Sequence, residues 1–230
     1  MTNANKNQTG LRKNKIKVLL VDDHPILRRG LAQLINLEAD MMVCGEAEDS
    51  PKAFQSVSTC TPDVMVVDIS LKGGNGIELI KNVKARYPEL PILVLSMHDE
   101  SLYAERALRA GGLGYIMKEE AIEQVLVAIR RVLTGEIFLS DKMKAKMLQQ
   151  LATGNRKTLA SPIENLTDRE LEVFRMIGEG RSTRQIAGEL HLSVRTVEAY
   201  REYIKGKLNL KNSTELVQHA FHWVHHEAAA

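Results

Sequence analysis

Short apolar runs alternate with amphipathic stretches through the first 135 or so residues. The run at 16–21 (IKVLLV) is interrupted only by Lys17 and ends at Asp22 and Asp23. A second run opens at Met42. A third at 64–67 (VMVV) ends at Asp68, a fourth at 92–95 (ILVL) at Ser96, and a fifth at 115–117 (YIM) at Lys118. These runs do not alternate apolar with polar, which is what strands covered on both faces require. Between them lie helical stretches. Pro25 opens one at 25–36, where its missing N–H is not needed. Ser50 as cap with Pro51 behind it opens another. A third at 77–87 follows the loop Gly73-Gly74-Asn75-Gly76 and is broken at Pro88 and Pro91. The last two are at 101–110, stopped by Gly111-Gly112, and at 121–134. Five strands alternating with five helices predict an α/β unit with a parallel sheet.

The pattern changes near residue 166. Thr167 followed three residues later by Glu170 has the form of a capping box. Leu171, Phe174 and Ile177 then recur at helical spacing, and Gly178 and Gly180 close that helix. Ser182-Thr183 opens a second helix. Ser193 caps a third at 194–208, with Val197, Tyr200, Ile204 and Leu208 on one side, and 212–223 makes a fourth. Short helix, tight turn and longer helix form a helix-turn-helix. The chain therefore divides into a basic tail expected to be disordered (1–15), an α/β unit (16–137), a linker (138–165) and an all-α four-helix unit (166–230). The stretch 151–165 mixes Gly, Asn, Ser and Pro as linkers do.

Charge sharpens this division. Residues 1–15 carry Lys6, Arg12, Lys13 and Lys15 and no acid, 16–138 hold 13 basic and 18 acidic residues, and 139–163 hold five basic and one acidic. Residues 164–230 hold nine basic and ten acidic, so overall charge alone does not assign nucleic acid to the last unit. Its local pattern does more: Arg195, Arg201, Lys205, Lys207 and Lys211 outnumber Glu198 and Glu202 across 194–211. Such a helix offers phosphate contacts from its cations and base contacts from its first turns. Hydrophobic residues at 44% and charged residues at 26% exclude wholesale disorder. The apolar runs are too short to span a bilayer, and no charged-then-apolar leader opens the chain. Cys44 and Cys60 alone cannot build a disulfide framework, so a reducing, cytoplasmic setting is expected.

In an open α/β sheet, ligands bind beyond the carboxyl ends of the strands. Asp22, Asp23, Asp68, Ser96 and Lys118 all fall there. Three converging carboxylates repel one another, so a divalent cation is their natural neutraliser, and Mg²⁺ prefers a few carboxylates plus waters and a phosphoryl oxygen. Lys118 supplies a point charge to a bound phosphoryl group, Ser96 a hydrogen bond, and a carboxylate so flanked can attack phosphorus to give an acyl phosphate.

The segments VDDHP (21–25), VVDIS (66–70), VLSMHD (94–99) and GYIMKE (114–119) resemble the bacterial response-regulator receiver domain. LTDRELEVF (166–174), GRSTRQIAGELHLSVRTVE (180–198) and IKGKLNL (204–210) resemble the LuxR-type helix-turn-helix. Together the chain is similar to two-component response regulators of the NarL/FixJ type. The resemblance implies a doubly wound, flavodoxin-like receiver with Asp68 as phosphoacceptor. It implies Mg²⁺ at Asp22, Asp23, Asp68 and the backbone carbonyl of Ser70, and Ser96 and Lys118 reading the phosphoryl group. Tyr115 matches the aromatic switch that turns inward when Ser96 moves. Ser70 and His98 match positions that tune phosphoryl lifetime, with His98 expected as an exposed spectator. Lys72 departs from the proline that the family often has there.

In the helical unit the resemblance places Glu198, Ala199 and Glu202 toward the major groove and Thr196 in the opening of the recognition helix. Phosphate contacts are expected from Arg195, Arg201, Lys205 and Lys207. The last helix, with Val217, Ala220, Phe221 and Val224, implies dimerisation. Its histidines (His219, His222, His225, His226) lack a cysteine or carboxylate partner for a metal role. The expectation is a regulator rather than an enzyme, phosphorylated by a sensor histidine kinase and acting as a homodimer on double-stranded promoter DNA, with no membrane partner. A haloacid-dehalogenase-like phosphatase would need Asp where Ser70 stands. A receiver acting without phosphate would not need the full set of five residues.

Overall fold

The structure is a computed structural model that describes residues 15–71, 74–98, 100–152 and 162–227. The expected tail, Lys15 apart, and most of 151–165 lie outside the described residues. Five strands, β1 (Ile16–Val21), β2 (Met41–Ala47), β3 (Val64–Asp68), β4 (Ile92–Ser96) and β5 (Gly114–Met117), form one parallel sheet in the order β2-β1-β3-β4-β5. The pleat sends successive side chains to opposite faces. Val18, Leu20, Val64 and Val66 pack against α1 (Pro25–Leu37) and α5 (Ala121–Leu133), and Leu19, Val21, Met65 and Val67 against α2 (Ser50–Cys60), α3 (Gly76–Arg86) and α4 (Glu100–Arg109). Every residue of β3 and β4 is buried, which explains their unbroken apolar character. The order of strands reverses between β1 and β3, so the ends of these two neighbours open the crevice where Asp22 and Asp68 stand.

Three local details differ from the sequence reading. The cap of α2 is Asp49, whose side chain accepts the Lys52 N–H at 2.8 Å, so Ser50 is already helical. A carboxylate accepts this bond as well as a hydroxyl would, and the sequence DSP left both registers open. The segment read as a loop at 73–76 includes Gly74–Asn75, which pairs antiparallel with Ser70–Leu71, and Asn75 then caps α3 through the Ile77 N–H at 2.8 Å. The expected linker contains a helix, α6 (Asp141–Ala152). Met143 is buried and Met147 partly so, and Lys146 donates to the Ser101 carbonyl of the first unit at 3.2 Å.

The second unit comprises α7 (Asp168–Gly178), α8 (Thr183–Glu189), α9 (Val194–Leu208) and α10 (Ser213–Glu227), the last running beyond the expected 223. Both predicted N-termini are complete capping boxes: Thr167 with Glu170, and Ser182 with Gln185. Ser193 caps α9 through the Thr196 N–H at 3.0 Å. Leu171, Phe174, Ile186, Val197, Ile204, Leu216 and Ala220 form the core, with the rings of Phe174 and Trp223 5.4 Å apart.

Candidate functional site

Asp68 and Asp22 end adjacent strands and are almost fully buried. Lys118, carried just past β5, brings its ammonium 2.6 Å from Asp68 Oδ2 and 2.8 Å from Asp22 Oδ2. The other Asp68 oxygen accepts the Ser70 N–H at 3.0 Å. Asp22 Oδ1 accepts the His24 N–H at 2.7 Å, and the Arg28 guanidinium bonds the Asp22 carbonyl and, at 3.0 Å, Glu46. Gly76 matters for a different reason. A Cβ there would lie 2.1 Å from the Asp68 carbonyl oxygen, while its N–H donates to Ile69 at 2.8 Å. Only a glycine lets α3 start so close behind the Asp68 backbone. Burial pushes the Asp68 carboxyl up to about 6, against the downward pull of the Lys118 charge and hydrogen bond.

Donor atoms of Asp22, Asp23, His24 and Asp68 all lie within 4.8 Å of one another. Asp22 Oδ2 and Asp23 Oδ1 are buried and make no hydrogen bond, because Lys118 and His24, though close, stand outside hydrogen-bonding geometry. Orphaned carboxylate oxygens in a crowded acidic pocket fit a hard divalent cation. His24 escaped the sequence reading. Its signal was adjacency to Asp22 and Asp23 in VDDHP, which also reads as a plain turn.

Ser96 is fully buried, with its Oγ accepting the His98 N–H at 3.0 Å. Tyr115 is buried too, and its hydroxyl donates to the His98 carbonyl at 2.7 Å. His98 thus links the two through its own backbone. Its ring is half-buried rather than exposed: Nε2 lies 2.8 Å from Ser70 Oγ and the imidazole stacks on Tyr103 at 4.7 Å. Burial, with the Arg175 and Lys118 charges behind it, pushes His98 down to about 3, so it is neutral at physiological pH.

On α9, Arg195, Glu198, Ala199 and Glu202 are exposed, and Thr196 and Arg201 are half-buried. Two of the expected phosphate contacts have protein partners. Lys205 lies 2.9 Å from Glu202, and Lys207 lies 2.6 Å from the buried carboxylate of Glu170. The helical unit meets the first unit over the acidic pocket. Asp168 receives Lys81 of α3 at 2.9 Å and Arg106 of α4 at 3.0 Å, and Arg106 also donates to the Leu166 carbonyl at 2.8 Å. A cavity of about 340 Å³ separates Asp23 and Ser70 from Arg175, Glu189 and His191.

Residues 18–130 match the response regulator receiver domain, and 164–220 match bacterial regulatory proteins of the luxR family. The chain is 35% identical over 209 residues to the oxygen regulatory protein NreC of Staphylococcus aureus (strain JH9), across 89% of this chain and 96% of that protein. The chain belongs to the NarL/FixJ-type response regulators. Solved response regulators share its fold. RcsB of Salmonella typhimurium is 26% identical with a TM-score of 0.66, across 90% of this chain and 97% of that one. RcsB of Salmonella enterica serovar Typhimurium, bound to promoter P1flhDC in the presence of the phosphomimetic BeF3-, is 27% identical with a TM-score of 0.62, across 90% and 98%. This response regulator is a DNA-binding transcription regulator of a family that phosphorylation activates. Among the described residues no helix is long and apolar enough to cross a membrane.

Proposed function

We propose that this response regulator accepts a phosphoryl group on Asp68 from a sensor histidine kinase in the cytoplasm, and that residues 16–137 do so as the receiver. The observation that carries the reading is the buried Asp68 carboxylate held 2.6 Å from Lys118, beside the orphaned oxygens of Asp22 and Asp23. Asp22, Asp23, Asp68 and the Ser70 carbonyl would hold Mg²⁺, which offsets charge on the phosphoryl oxygens. An Asp68 oxygen attacks phosphorus, the bond to the kinase imidazole breaks, and Lys118 balances the charge left on the aspartyl phosphate. The Ser96 hydroxyl turns to a phosphoryl oxygen and gives up the His98 N–H. Because the Tyr115 hydroxyl holds the carbonyl of that same residue, the loop after β4 and the switch aromatic move together. The change is a shift between two packings of one loop, biased by the added charge.

Residues 166–230 would then act on promoter DNA as a homodimer, with two recognition helices about one helical turn apart, while 1–15 and 138–165 serve as tail and connector. Glu198, Ala199 and Glu202 face bases, and Thr196 sits at the start of the helix. Arg195 and Arg201 lead the phosphate contacts, because Lys205 and Lys207 must first leave Glu202 and Glu170.

Two measurements test these assignments. Replacing Arg195 or Arg201 with Ala should weaken binding to unrelated duplexes alike and lower the slope of log affinity against log salt by about one. An unchanged slope takes that residue off the phosphate backbone. Mg²⁺ should raise the Tm, and more above pH 6 than below it. Burial favours the protonated Asp68 carboxyl, whose proton competes with the cation as pH falls through about 6. An equal shift on both sides removes Asp68 from the cation site.

A further inference from the structure

The two cysteines of the chain meet at the outer edge of the sheet, on β2 and the end of α2. The pairing of β1 with β2 slips by one residue: Val18 stands opposite Val43, but Leu19 stands opposite Gly45. Cys44 is the extra residue of that bulge. A bulge re-aims the strand that carries it. Val43 packs into the layer with α1 and α5, whereas Cys44, and after the slip Ala47, belong to the layer with α2. Gly45 also faces α2, because a Cβ built on it would come 2.7 Å from Cys60 Sγ and 3.9 Å from Ser56 Cβ. Cys60 is the last residue of α2, which Thr61 ends in the left-handed conformation at φ 48°. Its sulfur therefore rests on the backbone next to Cys44, close enough to help raise the pKa of that thiol. Both are free thiols and both are half-buried.

We infer that Cys44 and Cys60 are a redox pair that closes to a reversible intrachain disulfide when the protein meets a peroxide. Cys60 attacks first: its thiolate sulfur takes one peroxide oxygen, the O–O bond breaks, and the other oxygen leaves as water once protonated. The Cys44 sulfur then attacks the resulting sulfenic sulfur. The S–S bond forms, the S–O bond breaks, and hydroxide leaves with the Cys44 proton as a second water. The two sulfurs together lose two electrons and the peroxide gains them. Burial, and then Cys60 beside it, push the Cys44 thiol up to about 11. Cys44 is thus protonated at neutral pH and is not the thiol that meets the peroxide first. The pair also has a place in the wider structure. Two residues past Cys44, Glu46 holds Arg28, and the Ala47 carbonyl accepts the Asp22 N–H at 3.1 Å, so the bond would fasten the strand end behind Asp22. The inference itself does not depend on the role of Asp68.

The test is to treat the full-length protein with hydrogen peroxide, alkylate the remaining thiols, and record intact mass and a non-reducing peptide map. The expected product lacks two hydrogen atoms, has lost both free thiols, joins the Cys44 and Cys60 peptides within one chain, and returns to the starting mass with dithiothreitol. Cys44→Ser and Cys60→Ser should each lose this product. Wild-type protein that keeps both thiols, that only gains oxygen, or that links cysteines only between chains would overturn the inference. Should a serine variant fold poorly, the wild-type mass and map still decide it.

Discussion

Asp68→Asn should abolish phosphorylation outright. Incubated with Mg²⁺ and acetyl phosphate, wild-type protein is expected to gain one phosphoryl adduct by intact mass, and hydroxylamine should remove it as it removes acyl phosphates. The variant should gain none and should lose any donor-dependent increase in DNA binding. The reason is electronic: an amide oxygen carries no free anionic pair to attack phosphorus, while its shape still fills the buried space at the end of β3. The same substitution has a second, opposite signature. Burial raises the folded-state pKa of Asp68 from 3.8 to about 6. Between these values the folded protein holds a proton that the unfolded chain has lost. The contribution of this group to stability is therefore full below 3.8 and gone above about 6. The neutral Asn should accordingly stabilise the metal-free protein at neutral pH, on the order of 1–3 kcal/mol, with the advantage vanishing in acid. A more stable protein that no longer takes phosphate separates loss of the nucleophile from loss of the fold. An adduct that persists on the variant would move the acceptor to another side chain, Asp22 and Asp23 being nearest.

Most of the acidic pocket was legible in the sequence because strands buried on both faces are continuous apolar runs. Their ends are therefore marked by the first polar residue, and Asp22, Asp68, Ser96 and Lys118 are those residues. What escaped depends on distances through space. Nothing in the order Ser70, His98, Tyr103 says that a serine hydroxyl bonds an imidazole that stacks on a phenol ring beside Asp68, and so His98 read as an exposed residue. His24 was hidden by having a sufficient local explanation as part of a turn. Helix α6 was hidden by composition. Four cations or anions in its first six residues drew attention to charge, while two methionines four apart carried the packing signal. In the helical unit the caps Thr167 and Ser193 were legible to the residue, and the helix start at Ser182-Thr183 was too, since each cap acts within its own first turn. Lys207 was not, because its partner Glu170 lies 37 residues away on another helix.

The contact between the units leads to the last expected result. Asp168 sits at the first turn of α7 and receives two cations from the receiver, Lys81 at 2.9 Å and Arg106 at 3.0 Å. The carboxylate and Arg106 are mostly shielded from water while Lys81 is half-exposed, so Arg106 carries the larger share. Asp168→Asn keeps a helix-compatible side chain and leaves the Thr167 capping box untouched, but removes the charge that both cations face. A charge-assisted hydrogen bond is worth about 1.5–3 kcal/mol. Its loss should shift the balance between docked and undocked units by about tenfold or more. Unphosphorylated Asp168→Asn is therefore expected to show a larger radius of gyration by small-angle scattering and tighter DNA binding than wild type, and to respond less to phosphorylation, since part of the release has already occurred. Arg106→Ala should act in the same direction and more strongly, because it also gives up the bond to the Leu166 carbonyl. If both variants keep the wild-type radius and affinity, the contact does not restrain the helical unit, and activation must work through dimerisation instead. If the radius grows while DNA affinity stays fixed, docking and DNA binding are independent. That outcome is compatible with the exposure of Glu198, Ala199 and Glu202 while the units are in contact.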